Sequence, residues 1–131
     1  MFDLFTKKET GNFGEKAACD FLKKQGYKIV ECNKRESHKE IDIIATDKSY
    51  IAFVEVKTRS VCDDLYSRYG TPASAVNASK QANLIAGARS YLRNNPTNKQ
   101  PRMDVVEVYL KKGTREILQI NHFKNAYNAW N

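Results

Sequence analysis

No apolar run in these 131 residues approaches the roughly 18 needed for a membrane-spanning helix, which excludes an integral helical membrane protein. The opening MFDLFTKKETGN has neither an apolar signal core nor a small-residue cleavage site, so export is not expected. Cysteine is scarce: Cys19, Cys32 and Cys62 are an odd number without C-x-x-C spacing. That argues against a disulfide framework or a structural zinc site, and for a reducing, cytoplasmic setting. Repeats and low-complexity tracts are also missing. With 41% apolar and 28% charged residues, the chain is not disordered, collagen-like or coiled-coil. One domain spanning residues 1–131 is expected, long enough to bury a core without staples.

Acidic residues are outnumbered. Lys plus Arg is 22 and Asp plus Glu is 15, a formal net charge of +7. A small, strongly basic domain draws polyanions around it, most commonly nucleic acid, although surplus charge also serves simply to keep a surface solvated.

Apolar spacing predicts a helix from Thr10 to Gln25, capped by Thr10 and stopped by Gly26. A strand from Tyr27 to Cys32 and a polar connection from Lys34 to Lys39 follow. Ile41 to Ala45 and Ile51 to Val56 are β-branched and apolar on both faces, as in the middle of a sheet covered on both sides. Thr58 to Ala75 reads as a long loop, and Val76 to Arg93 as a second helix. Strands at Met103 to Leu110 and Glu116 to Ile120 flank a tight turn at Lys111 to Thr114, and His122 to Trp130 reads as a closing helix. The order α-β-β-β-α-β-β-α predicts a single α/β domain with a central mixed sheet flanked by helices.

The chemistry concentrates at Glu40-Ile41-Asp42-Ile43-Ile44 and Phe53-Val54-Glu55-Val56-Lys57. A turn centred between Lys48 and Ser49 pairs residues whose numbers sum to 97, so Asp42 faces Glu55 and Glu40 faces Lys57. Alternation puts Glu55 and Lys57 on one face. Two carboxylates and an amine then share a patch of an apolar sheet. A divalent cation relieves the repulsion between the carboxylates, and hard oxygen ligands suit Mg2+ or Mn2+. Such an ion activates water and neutralises charge on a phosphodiester under attack, with Lys57 orienting or deprotonating that water. The alternative is an Asp42/Glu55/Lys57 salt-bridge cluster with no chemistry.

Asp42, twelve intervening residues, then Glu55-Val56-Lys57 resembles the D…(D/E)xK core of restriction-endonuclease-like nucleases. The wider pattern is similar to the YraN-like family of predicted endonucleases. It runs through Gly11-Asn12-Phe13-Gly14-Glu15, Ala17-Ala18, Gly26-Tyr27, Asn33, Arg35, Glu40 to Ala45 and Phe53 to Arg59. Tyr69-Gly70, Pro72, Ala75-Val76, Lys80, Arg102, Asp104-Val105-Val106 and Ile120 to Ala126 continue it over nearly the whole chain. Lys39 departs, standing where the family usually has glycine. The resemblance implies a restriction-endonuclease-like fold related to Holliday junction resolvases. It also implies a metal held by Asp42, Glu55 and the Val56 backbone carbonyl, a catalytic Lys57, and Glu15 reaching in from the first helix. Junction-cleaving relatives work as dimers, so a homodimer is a state to look for.

DNA is the expected partner, and no membrane is. Arg35, Arg59, Arg68, Tyr69 and Lys80 are the candidate nucleic-acid contacts, with Arg59, Arg68 and Tyr69 flanking the long loop. Glu40 reads as an ion-pair partner of Lys57 and Asp104 as a partner of Arg59 or Arg102 rather than a ligand. His38 and His122 read as surface or capping residues, and Cys19 as a small packing residue. Two functions stay open: a divalent-metal-dependent endonuclease, or a nucleic-acid-binding module whose metal site is weak or relict.

Overall fold

The computed structural model describes residues 5–36, 39–61 and 77–129. In chain order it comprises α1 (Lys7–Lys24), β1 (Lys28–Glu36), β2 (Lys39–Thr46), β3 (Tyr50–Val61), α2 (Ala78–Asn94), β4 (Gln100–Lys111) and β5 (Ile117–Phe123). Helix α1 starts a turn earlier than its apolar spacing predicts, because a capping box lies upstream of Thr10. The Thr6 hydroxyl accepts from the Glu9 N–H at 3.0 Å, and the Glu9 carboxylate accepts from the Thr6 N–H at 2.9 Å. The left-handed Gly26 (φ 98°) follows its end, as expected.

The sheet order is β1-β2-β3-β4-β5, antiparallel throughout except for the parallel pair β3/β4. A parallel pair needs a crossover, and α2 lies within it. Helix α2 covers one face, where Leu84, Ala88 and Tyr91 meet Ile51, Phe53, Met103 and Val105. Helix α1 covers the other, where Ala17, Ala18 and Leu22 meet Ala52, Val54, Val106 and Val108. Both faces of β3 are therefore buried, the doubly covered central strand that its composition predicts. The close seat of α1 depends on Gly14, since a Cβ there would run into the Thr58 side chain. Among the described residues no helix is long and apolar enough to cross a membrane.

The β2/β3 hairpin has the predicted register: Ile43 opposes Val54, Ile44 opposes Phe53 and Ala45 opposes Ala52. Asp47 fixes its turn by accepting the N–H groups of Ser49 and Tyr50 at 2.9 and 2.7 Å.

Three further expectations fail. Lys34 to Glu36 and Lys39 belong to a strand ladder rather than a connection, with Arg35 opposite Glu40 and Glu36 opposite Lys39. Thr58 to Val61 extend β3 instead of opening the loop, whose residues 62–75 lie outside the described ones. Among the described residues there is no closing helix. His122 and Phe123 complete β5, and Asn125 turns the chain in the left-handed region (φ 53°). There its N–H bonds Asp104 at 3.0 Å, and the Ala126 N–H bonds the Met103 carbonyl at 2.8 Å. Phe123, Ala126 and Tyr127 still pack on the α2 side of the core, so their helix-like spacing reflects burial rather than helix.

Candidate functional site

The β2/β3 ladder stops at Ile43 and Val54, and the site lies just beyond that point. Side-chain alternation along β2 breaks there. Ile43 and Ala45 pack under α1, whereas Ile41 and Ile44 pack under α2. Asp42 sits at the break, where a strict two-residue period would put Ile41 and Ile43 on the same face. Its carboxylate turns toward β3 and accepts the Val56 N–H at 2.8 Å, where a strand partner's carbonyl would otherwise sit. The N–H and C=O of one strand residue point to the same side, so the Val56 carbonyl faces this gap as well. On β1, at the level of the break, Asn33 adopts a left-handed conformation (φ 52°) that asparagine tolerates.

Four further side chains converge on the gap. Glu55 is 6% exposed and pairs with Lys80, from the first turn of α2, at 3.0 Å. Burial and then the Glu55 carboxylate push the Asp42 carboxyl up to about 7, against the opposing Val56 N–H. Lys57 is half-buried, and burial followed by the Lys80 ammonium pulls its amine down. Burial works against the charge on Lys80 too, but the Glu55 hydrogen bond and charge hold that amine up. Glu15 reaches the gap from α1. Burial and then the Glu40 carboxylate push it up, while a hydrogen bond to Asn33 opposes them.

Asp42 and Glu55 both line an open cleft of about 500 Å³ together with Glu40, Asn77, Lys80 and Asn83. Asp42 also borders a second cleft of about 530 Å³ on the α1 side, with Glu15 and Asn33. It therefore joins the two faces of the sheet. Among the described residues, no group of three or more His, Cys, Asp or Glu side chains is close enough to hold a metal ion. The hard oxygen donors nearest the break are the Asp42 and Glu55 carboxylates and the Val56 peptide carbonyl, with the Glu15 carboxylate on the α1 side.

The other predicted residues are distributed more widely. Glu40 does not pair with Lys57; it lies opposite Arg35, which is exposed on β1. Arg59 lies 3.7 Å from the buried Glu107 carboxylate. Arg68, Tyr69, His38 and Cys62 lie outside the described residues. Asp104 pairs with Arg102 at 2.8 Å, as expected, and also with His122 at 2.7 Å. His122 is thus a buried partner rather than a surface residue, and its ring packs edge-on against Tyr27 and Phe21.

Sequence reasoning placed Asn33 in the family pattern without a role at the site, and missed Glu107. Parallel register sets Glu107 beside Lys57, and the Tyr109 hydroxyl donates to Glu107 at 2.8 Å. A glutamate at the core-facing position of Val-Val-Glu-Val-Tyr was the available signal, because carboxylates are almost never fully buried without a partner.

Residues 14–108 match the family described as "Uncharacterised protein family UPF0102". The UPF0102 protein of Caldanaerobacter subterraneus subsp. tengcongensis is 41% identical over 122 residues, covering 92% of this chain and 96% of the relative. That of Acetivibrio thermocellus is 46% identical over 125 residues, covering 92% of each chain. A third, from Caldicellulosiruptor saccharolyticus, is 43% identical over 92% of this chain and 98% of its own length. Agreement at this level over most of the chain means that the chain belongs to the UPF0102 family.

Proposed function

We propose that this protein is a divalent-metal-dependent endonuclease acting on nucleic-acid phosphodiesters, DNA foremost. The observation that carries the reading is the meeting of Asp42, Glu55 and the Val56 carbonyl at the end of the β2/β3 ladder, with Lys57 beside them. The donor set fits Mg2+ or Mn2+: the oxygens are hard, and burial and then the repulsion between the two carboxylates push Asp42 up even with Lys80 paired to Glu55. Such ions keep several positions for water and substrate phosphate, so two carboxylates and one carbonyl suffice. When bound, the ion would lower the pKa of a water and neutralise charge on the phosphate under attack.

The chain's own groups do the rest. Lys57 holds and removes a proton at the attacking water, a task suited to an amine held down by burial. Glu15, restrained by Asn33, closes the α1 side of the gap. Lys80, once freed from Glu55, is left to hold substrate phosphate, with Arg35, Arg59, Arg68 and Tyr69 as the wider contact set. Two copies would present two clefts, one for each strand of a duplex, and sedimentation with and without DNA tests for that dimer.

The test is cleavage of branched and linear DNA in Mg2+ and Mn2+. Lys57→Ala should lose roughly 10²-fold or more in rate yet keep metal and DNA affinity within a few-fold. Equal loss of all three would make Lys57 merely structural. The Glu55–Lys80 pair favours one rival, a nucleic-acid-binding module with a weak metal site, because that carboxylate already has a cation. The rival predicts DNA binding indifferent to divalent ions and no cleavage.

A further inference from the structure

Cys19 and Cys32 are thirteen positions apart, on different elements, yet their sulfurs lie 3.6 Å apart. The fold makes this contact. Cys32 opposes Ile43 in the β1/β2 ladder, and Ile43 packs under α1, so Cys32 points toward that helix. Cys19 lies on α1 one turn after Glu15. Cys32 is exposed and Cys19 half-buried, and both line the α1-side cleft with Glu15, Asn33 and Asp42. Lys16, Asp20 and Lys23 border the same cleft, so charges of both signs surround the two sulfurs.

We infer that Cys19 and Cys32 form a redox-active dithiol, oxidised to an intramolecular disulfide by a low-molecular-weight disulfide such as oxidised glutathione. Cys32 is the accessible sulfur and reacts first. Its thiolate attacks one sulfur of the small disulfide, forming a mixed disulfide and releasing one small thiolate. Cys19 then gives its proton to solvent and attacks the Cys32 sulfur, expelling the second small thiol. Two protein thiols are oxidised, one small disulfide is reduced to two thiols, and no other reactant is needed. A disulfide length of about 2.05 Å asks the sulfurs to close by roughly 1.5 Å, within reach of side-chain rotation and a small shift of α1. Burial and then the Cys32 thiol push the Cys19 thiol up to about 12, which agrees with Cys19 resolving the mixed disulfide rather than starting the reaction. The new bond would pin α1 to β1 beside the Glu15–Asn33 contact. The assignment rests on the sulfur geometry and needs neither a metal nor a nucleic acid.

The test is to equilibrate the whole native protein across a series of reduced-to-oxidised glutathione ratios, quench in acid, alkylate and map the peptides. The expected product is lighter by two hydrogens and carries a Cys19–Cys32 link. Both cysteines should lose alkylation with one shared midpoint, unchanged in Cys62→Ser. In Cys19→Ser the reaction should stop at the mixed disulfide, leaving one glutathione on Cys32. Alkylation of Cys19 and Cys32 at every ratio, or a link running through Cys62, would overturn the assignment.

Discussion

The Asp42 carboxylate accepts the Val56 N–H at 2.8 Å, so the side chain that interacts with Glu55 also bonds the backbone of the next residue along β3. That bond opens the β2/β3 ladder without leaving a backbone donor unsatisfied.

Without divalent ions, Asp42 works against the fold near neutrality. Its carboxyl is pushed from 3.8 to about 7 in the folded chain, so between those values the folded state binds more protons than the unfolded one. Stability from this group therefore falls as pH rises through that window. Asp42→Asn keeps an acceptor for Val56 and removes the charge, and should gain about 1–2 kcal/mol at pH 8. On a chain of this size that raises Tm by roughly 4–8 °C. At pH 4 the gain should vanish. Equal shifts at both pH values, followed by circular dichroism melts, would mean that charge is not the cause.

Lys80 now stands where a bound cation would compete. Lys80→Met should raise Mn2+ affinity about three- to tenfold, since the ion no longer has to displace an ammonium from Glu55. The same variant should bind DNA more weakly and with a shallower salt dependence. Calorimetry and a salt-titrated binding assay check the two effects separately.

Gly14→Ala tests whether the seat of α1 sets the position of Glu15. The added methyl meets Thr58 on β3 and should lift the helix, at a cost of about 1–3 kcal/mol. Metal-dependent cleavage should fall with it. Thr58→Gly in the same chain should recover much of both losses, and a double-mutant cycle measures the coupling.

Asp104 is completely buried and serves the fold, not the site. Burial alone would push its carboxyl up, but bonds from His122, Arg102 and the Asn125 N–H hold it below the usual range. Its stabilisation is present above its unfolded pKa and is lost as pH falls below about 4. Asp104→Ala strands the Arg102 guanidinium and should cost about 3–5 kcal/mol by denaturant unfolding.

Much of this was legible because it is local. The turn at Asp47 set the hairpin register, and doubly apolar strands announced a sheet covered on both faces. The interruption at Asp42 was not legible, since Glu-Ile-Asp-Ile-Ile reads as regular alternation and the break depends on Val56, fourteen residues away. The end of the chain misled for the same reason. Phe123, Ala126 and Tyr127 are spaced like a helix, but a buried Asp104 captures the Asn125 N–H and holds the segment in a turn. Glu107 went unseen inside an apolar strand because Arg59 reaches it only when β3 and β4 pair, and Tyr109, two residues on along the same strand, read as an ordinary core aromatic. Capping was misplaced by one turn: Thr10 and Thr6 are both suitable caps, and only the reciprocal bond with Glu9 decides between them.

The most direct measurement is a calorimetric titration of the native protein with Mn2+, alone and with a short DNA duplex, comparing wild type with Asp42→Asn. The account predicts binding by the wild type, strengthened by DNA as phosphate oxygens complete the ion's shell, and its loss in the variant. Absence of binding in both proteins, with DNA present, would contradict it.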